Sequence, residues 1–134
     1  MIKGAACFVD KNTLEISPSG DTVTASNFII ATGATPRSIP GVEIDGEYFI
    51  TSREALDLKE PPKRVVIIGG GAVGAEFAYL YNAYGSKVTV LEMLPHLLPN
   101  EDEEISQQLE RAFGRQGIEF LTEARVNGAI KSDN

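Results

Sequence analysis

Three glycines in the middle of the chain have the spacing of a phosphate-binding loop. They are Gly69, Gly71 and Gly74, and they follow the apolar run RVVII at residues 64–68. In a G-x-G-x-x-G sequence between a strand and a helix, the first glycine allows a tight turn and the second lets a pyrophosphate approach the backbone. The third lets the helix pack close to the strand. Free N–H groups at the start of the helix, together with its dipole, then hold the phosphates.

An acidic residue follows at the position where the ribose of a dinucleotide would bind. Glu92 ends the stretch KVTVLE, 18 residues after Gly74, close to the ~20 residues expected for a ribose-binding acid. A carboxylate there accepts hydrogen bonds from the adenosine 2′-hydroxyl and repels a 2′-phosphate, which favours NAD(H) over NADP(H). We therefore predict that NAD contacts Gly69, Gly70, Gly71, Ala72, Val73, Gly74 and Glu92. The alternative is a structural turn followed by a solvent-exposed strand end.

The elements around this loop predict a parallel sheet. The predicted strands are residues 64–68, 87–92 and 118–126, and the first is continuously apolar, as expected of a strand buried on both faces. Helices are predicted between them, the first ending at Gly85 and the second spanning 100–117. Their predicted apolar faces comprise Val73, Phe77, Leu80 and Tyr84 in the first, and Ile105, Leu109 and Phe113 in the second. This alternation predicts an α/β fold over residues 64–134, a Rossmann-type parallel sheet with flanking helices.

The N-terminal part, residues 1–33, is predicted to be a small antiparallel β meander. Its predicted strands are residues 5–9, 13–17 and 22–31, separated by the turn sequences DKN and SPSGD. Residues 34–63 contain four prolines and are predicted to form a connector with one short helix. That helix is predicted to start at Thr51, because Glu54 follows at capping-box spacing.

Composition excludes several classes of function. The net charge of −7 argues against nucleic-acid binding, which needs clustered Lys and Arg. No apolar run approaches the length of a membrane span and the N-terminus has no secretory signal pattern, so the cytoplasm is the expected compartment. Cys7 and His96 are the single cysteine and histidine, which excludes an internal disulfide and a multi-cysteine metal site. We predict an inert core thiol at Cys7, a surface position for His96, and no catalytic or metal-binding residue.

Four motifs together resemble the pyridine nucleotide–disulfide oxidoreductases. They are FIIATGATPRSIPG, TSREAL, VVIIGGGAVGAEFA and VTVLEMLPHLLP, in the family's order and spacing. The resemblance implies that residues 1–33 belong to a FAD-binding domain, in which Thr32 and Gly33 contact FAD through the backbone.

The same resemblance implies the roles of residues in the second nucleotide-binding region. The NAD pyrophosphate is expected on Gly69 to Glu76, the adenosine ribose on Glu92, and the adenine near Val126. Glu76 is expected near the flavin once the domains are assembled. The alternative for Glu76 is an acid near a helix N-terminus, favoured by the helix dipole.

The chain also departs from the family's pattern. It lacks the N-terminal G-x-G-x-x-G for FAD, the redox pair of cysteines and the C-terminal His–Glu pair. We therefore expect a piece of a longer flavoprotein, with its Rossmann domain at residues 64–134 truncated at the C-terminus, and no activity in the isolated chain.

The implied function is electron transfer between dihydrolipoamide and NAD⁺ through a protein disulfide and FAD, in which this chain supplies the NAD(H)-binding segment. Another family member, such as an NADH oxidase, a coenzyme A-disulfide reductase or a mercuric reductase, remains open, as does a stand-alone nucleotide-binding module without chemistry. The expected partners are dinucleotides and the rest of the parent flavoenzyme, and neither nucleic acid nor a membrane. An exposed apolar face with Phe8, Leu14, Phe28 and Ile30 on the meander predicts self-association.

Overall fold

The computed structural model describes residues 1–132, and the chain divides into two compact units between Thr35 and Pro36. The first unit is an antiparallel meander, and the second contains a parallel sheet with helices. The predicted α/β class with a preceding meander is confirmed. The predicted connector, residues 34–63, lies almost wholly in the second unit, because that unit starts at Pro36.

The strands of the first unit are short and joined by tight turns. They are β1 (Ala5–Asp10), β2 (Thr13–Ser17) and β3 (Asp21–Thr24), paired antiparallel in that order. At the turn between β1 and β2, the side-chain amide of Asn12 donates to the carbonyl of Ala25 at 2.9 Å. The third strand is shorter than the predicted 22–31. Thr24 pairs with Thr13, the first residue of β2, so the following residues have no strand to pair with.

The pairing register gives the meander one apolar and one polar face. Phe8 pairs with Leu14 and Leu14 with Val23, whereas Cys7 pairs with Glu15. Successive residues of a strand point to opposite faces, so Cys7 lies on the polar face beside a carboxylate. Cys7 is exposed, and the prediction of a core thiol is therefore wrong.

The apolar face of the meander is only partly covered. Ile16 is the buried hydrophobic residue of this unit. The rings of Phe8 and Phe28 meet edge to face, with centroids 5.1 Å apart. Leu14 and Phe28 are half-buried, whereas Phe8 and Ile30 are exposed. Phe8 thus adjoins both Leu14 and Phe28 on the predicted apolar face, whereas the place of Ile30 on that face stays a prediction.

The second unit begins with irregular chain and one short helix, α1 (Ser52–Asp57). Thr51 caps it: its hydroxyl oxygen accepts the N–H of Arg53 at 3.3 Å, and the Glu54 carboxylate accepts the N–H of Thr51 at 2.8 Å. The predicted capping box is present. The hydrogen bond from the Thr51 hydroxyl, and after it the bond from the Thr51 backbone N–H, lowers the pKa of Glu54.

The parallel sheet has the order β4-β5-β6. Its strands are β4 (Arg64–Ile68), β5 (Lys87–Leu91) and β6 (Glu119–Leu121), connected by α2 (Ala72–Ala83) and α3 (Glu103–Gln116). Gly117 ends α3 with a left-handed φ of 79°, as the sequence predicts. β6 is shorter than the predicted 118–126, because Glu123 has a φ of 54°, which is incompatible with an extended strand.

The core of the second unit lies between one face of the sheet and the two longer helices. It comprises Ala75, Ala78, Tyr81, Val88, Val90, Leu97, Phe113 and Ile118. In α3, Phe113 is buried and Leu109 half-buried, as predicted, whereas Ile105 is exposed.

The face of α2 that packs on the sheet differs from the predicted one. Its buried residues are Ala75, Ala78 and Tyr81. The predicted face contained Val73, Phe77, Leu80 and Tyr84; Phe77 is half-buried, and the other three are exposed, Tyr84 by 67%. The face that packs on the sheet thus combines two alanines near the start of the helix with one tyrosine near its end.

Two side-chain hydrogen bonds attach the connector to the sheet and helices. The Tyr81 hydroxyl donates to the carbonyl of Ala55 at 3.0 Å, and the Ser86 hydroxyl donates to the carbonyl of Pro62 at 2.5 Å. Burial raises the pKa of Tyr81.

Two kinds of feature do not occur within residues 1–132. No helix there has the length and apolar character needed to cross a bilayer. No group of three or more His, Cys, Asp and Glu residues is arranged to hold a metal ion. His96 is half-buried in the loop after β5, with Nδ1 3.0 Å from the carbonyl oxygen of Leu97.

Candidate nucleotide-binding site

The glycine loop joins β4 to α2 by a turn that depends on its first glycine. Gly69 has a φ of 110°, a conformation that residues with a side chain rarely adopt. Its N–H donates to the carbonyl of Leu91 at 2.8 Å, so the turn is attached to the end of the neighbouring strand. The loop therefore leaves the sheet at the carboxyl ends of β4 and β5, where open α/β sheets bind ligands.

The third glycine brings the helix directly onto this turn. A Cβ on Gly74 would collide with the carbonyl oxygen of Gly69 and would lie 3.4 Å from the side chain of Ile67. Because the first obstacle is backbone, it cannot move without displacing the turn. Gly74 thus has the close-packing role predicted from the motif.

The N-terminus of α2 is open. Gly71 is the N-cap and provides no side-chain cap. The first intrahelical hydrogen bond runs from the N–H of Ala75 to the carbonyl of Gly71 at 2.9 Å. The N–H groups of Ala72, Val73 and Gly74 precede this bond and have no partner within the helix. A Cβ on Gly71 would meet nothing within 4 Å, so the space beside this glycine is open.

Glu92 lies beside the loop immediately after β5. The residue is only 6% exposed. Oε2 accepts the N–H of Gly70 at 2.6 Å, and Oε1 accepts the N–H of Leu94 at 2.8 Å. The structure therefore brings Glu92 and the glycine loop together, as predicted, through a direct bond that the sequence did not predict. A carboxylate has about four lone-pair sites, and these two hydrogen bonds use two of them.

Three residues that the sequence analysis did not identify complete the surroundings of the loop. The N–H of Leu98 donates to the carbonyl of Gly70 at 2.8 Å. Leu97 is fully buried, and its N–H donates to Oε1 of Glu110 on α3 at 3.0 Å. The only sequence signal was the apolar, proline-flanked stretch LPHLLP after the strand, and it does not indicate a partner on α3.

Glu76 and Val126 lie farther along the same unit. Glu76 is exposed and lies beyond the first turn of α2, which contains no acidic residue. Stabilisation by the helix dipole falls off within the first turn, so this alternative explanation of Glu76 is weak. Val126 is half-buried, two residues after Ala124, whose N–H donates to the backbone carbonyl of Glu92 at 2.8 Å.

The two predicted FAD contacts lie in the first unit. Thr32 and Gly33 are exposed and belong to no strand or helix. Gly33 has a φ of 94°, and a Cβ there would meet nothing within 4 Å. Their contact with FAD stays a prediction.

Comparison with known proteins decides the family. All of residues 1–134 match the family described as pyridine nucleotide-disulphide oxidoreductase. The chain belongs to this family. The resemblance inferred from the four motifs is thereby confirmed.

Three similar proteins place the chain within the pyridine nucleotide-disulphide oxidoreductases. It is 49% identical to the dihydrolipoyl dehydrogenase of Chlorobaculum tepidum over 110 residues, which are 82% of this chain and 24% of that protein. LpdA from Mycobacterium tuberculosis matches 95% of this chain with 30% of its own, at 32% identity and a TM-score of 0.71. The HOCl-induced flavoprotein disulfide reductase RclA from Escherichia coli matches 95% of this chain with 29% of its own, at 32% identity and a TM-score of 0.68. The chain spans about a quarter of the length of the curated relatives it matches.

The family implies the use of FAD and a pyridine nucleotide, and the loop fits the pyrophosphate of such a nucleotide. The N-cap of α2 is Gly71, and no side chain caps the first N–H groups of the helix. Free N–H donors and the helix dipole favour an anion there. This pyridine nucleotide-disulphide oxidoreductase thus offers backbone N–H donors at a helix N-terminus, which are groups of the kind that bind a pyrophosphate.

Proposed function

We propose that this chain is the NAD(H)-binding segment of a FAD-dependent disulfide oxidoreductase, and that the parent enzyme is dihydrolipoamide dehydrogenase. The observation that carries the proposal is the open N-terminus of α2 with the Glu92 carboxylate bound to the same loop. The choice of activity is supported by the identity with the dihydrolipoyl dehydrogenase of Chlorobaculum tepidum.

The binding of the pyrophosphate is assigned to the loop backbone. The N–H groups of Ala72, Val73 and Gly74 would donate to phosphate oxygens, since they precede the first intrahelical bond. Gly69 and Gly71 would contribute the turn and the unobstructed approach. Such backbone donors are fixed before binding, so little ordering of the protein opposes association.

The choice between the two nucleotides is assigned to Glu92. Its carboxylate has lone pairs left after it accepts the N–H groups of Gly70 and Leu94, and these can accept the 2′-hydroxyl of the adenosine ribose. The side chain is almost fully buried, so water screens its charge poorly and a 2′-phosphate would be strongly repelled. Both effects favour NAD(H).

The residues of this chain bind and orient rather than react. When bound, NAD and FAD supply the hydride-transfer chemistry of the enzyme. The net reaction proposed for the parent is oxidation of the dihydrolipoamide dithiol to a disulfide, with reduction of NAD⁺ to NADH and release of a proton. We assign no catalytic residue to residues 1–134. Adenine contact by Val126, proximity of Glu76 to the flavin, and FAD contact by Thr32 and Gly33 belong to the same proposal.

A second candidate is a flavoprotein disulfide reductase acting on another substrate. This candidate is supported by the similarity to RclA, which has the same sequence identity to this chain as LpdA and covers the same share of it. The nucleotide site would be the same, and the difference would lie in the substrate disulfide.

Calorimetric titration of the chain with NADH and NADPH tests the proposal. We expect NADH to bind about tenfold or more tightly than NADPH, because like charges brought together at a site oppose binding strongly. Glu92→Gln removes the charge and keeps an oxygen that can accept one N–H, so it should narrow this gap. Glu104→Gln, an exposed acid on α3, is the matched control and should leave the gap unchanged.

The opposite results are equally informative. Failure of NADH to bind a chain whose circular dichroism shows it folded would refute the binding assignment. An unchanged NADH/NADPH ratio in Glu92→Gln would show that selectivity lies elsewhere.

A further inference from the structure

A second acidic residue, Glu110, reaches the neighbourhood of the glycine loop from α3. Its Oε1 accepts the backbone N–H of Leu97 at 3.0 Å. The hydrogen bond joins residues 13 apart in sequence and fixes the loop after β5 to the helix that follows it. Glu110 is half-buried as a residue.

The segment held by Glu110 in turn holds the middle of the glycine loop. The N–H of Leu98 donates to the carbonyl of Gly70 at 2.8 Å. The side chain of Leu97 fills the space beside Gly70, since a Cβ on that glycine would lie 2.5 Å from Leu97 Cδ2. The N–H of Gly70 is bound to Glu92, so the peptide units before and after Gly70 are each held by one hydrogen bond.

The backbone of this segment is held in an unfavourable conformation. Leu98 has a φ of 50°, and residues with side chains persist in this region only where their surroundings enforce it. The surroundings here include Ser106, which is fully buried and whose hydroxyl lies 3.4 Å from the carbonyl of Leu98. The Ser106 hydroxyl lies equally far, 3.4 Å, from the carbonyl of Asp102, and the carbonyl of Leu98 also accepts the N–H of Glu101 at 2.9 Å. The side-chain bond from α3 that is specific to this segment is therefore that of Glu110 to the N–H of Leu97.

We infer that Glu110 is a positioning residue for the nucleotide site, an inference that rests on the function proposed above. It holds Leu97 and Leu98, these hold the carbonyl of Gly70, and the orientation of Gly70 sets the direction of the loop that leads into α2. Glu110 itself does not contact the nucleotide. Its effect is to keep the loop in the binding-competent conformation before the ligand arrives, because apparent affinity falls with the fraction of molecules in that conformation.

The sign of the expected effect separates positioning from electrostatics. A dinucleotide is anionic, so removing a nearby negative charge that does not contact it should strengthen its binding or leave it unchanged. Positioning predicts the opposite for Glu110. Loss of its hydrogen bond should weaken binding although the repulsive charge is gone.

The test compares three variants of the full chain by calorimetry with NADH and by amide hydrogen exchange. Glu110→Ala should raise the NADH dissociation constant about tenfold, as expected if about a tenth of the molecules keep the competent loop. Glu110→Gln retains an acceptor oxygen for the Leu97 N–H and should restore affinity to within about twofold. Glu104→Ala, which removes an exposed acid from the same helix, is the control and should bind as the wild type does. In the ligand-free chain, the amides of Leu97 and Leu98 should exchange faster in Glu110→Ala alone.

The other possible outcomes would overturn either the positioning role of Glu110 or the proposed function. If the wild type binds NADH and Glu110→Ala binds equally well, Glu110 is not a positioning residue, while the proposed function stands. If Glu110→Gln is as weak as Glu110→Ala, the hydrogen bond is not the cause and the inference fails. If the folded wild type does not bind NADH, the proposed function fails and the inference falls with it.

Discussion

The first and second units of the chain bury very different amounts of apolar surface. Among residues 1–35, the buried hydrophobic residue is Ile16, whereas the second unit encloses eight hydrophobic residues between its sheet and helices. The meander is fixed by pairing register and by turn hydrogen bonds such as that of Asn12. The parallel sheet is fixed by packing, which explains why the candidate site, which needs accurately placed backbone donors, lies in the second unit.

The largest expected effect is on the free energy of unfolding, when one buried side chain in each unit is replaced by alanine. Phe113→Ala should lower the free energy of unfolding of the second unit by about 3–5 kcal/mol, because it leaves a cavity in close-packed surroundings. Ile16→Ala should have less than half this effect, since its neighbours are already open to solvent. Urea denaturation followed by circular dichroism measures both, with hydrogen exchange at β2 and β5 assigning each loss to a unit. If both variants lose the same free energy of unfolding, the proposed difference between the two units is wrong.

A second effect concerns association of the meander with another copy of the chain. We propose that the chain self-associates through the apolar face of the first unit, where Ile30 is 73% exposed. Light scattering should show dimers or larger species, and Ile30→Ser should weaken association about tenfold, as expected for the loss of one buried isoleucine. Ile130→Ser is the matched control, because Ile130 is 92% exposed in the second unit. A wild type that remains monomeric at the highest attainable concentration would refute this proposal.

The smallest expected effect is electrostatic and belongs to the exposed face of the parallel sheet. Lys87 and Glu119 form an ion pair at 3.0 Å, and hydrogen bonds from Lys87 and then Thr89 lower the pKa of Glu119. A lowered pKa means that the folded state favours the carboxylate, so the stabilisation is present above the unfolded pKa and disappears as pH falls through the folded one. Glu119→Gln should therefore lower the urea midpoint slightly at pH 7 and leave it unchanged at pH 2. High salt should make the difference at pH 7 smaller. A shift that persists in acid would exclude the ion pair as its cause.

Local sequence signals predicted the parts of the fold that depend on neighbouring residues. The strand–glycine–helix order, the cap at Thr51 and the left-handed end of α3 at Gly117 each follow from a few adjacent residues, and each is present. The position of Glu92 beside the loop also followed from motif spacing, since adjacent parallel strands end at the same edge of the sheet.

The features that the sequence did not predict depend on distant partners. The extent of β3 is set by where β2 begins, and the polar side of Cys7 is set by its pairing with Glu15. For α2, two faces were apolar, and the burial of Ala75, Ala78 and Tyr81 shows which of them packs on the sheet. The contact of Glu110 with Leu97 joins two elements whose relative position no local pattern encodes.

The hydrogen bond from Tyr81 to Ala55 gives the chain an optical probe of its own folding. The chain has no tryptophan and four tyrosines, of which Tyr81 is buried and the other three are exposed. Because burial raises the pKa of Tyr81, its phenol keeps its proton at alkalinities where an unfolded tyrosine loses it. The ultraviolet absorbance of tyrosinate in alkaline solution should therefore increase, without any label, when unfolding exposes the side chain of Tyr81.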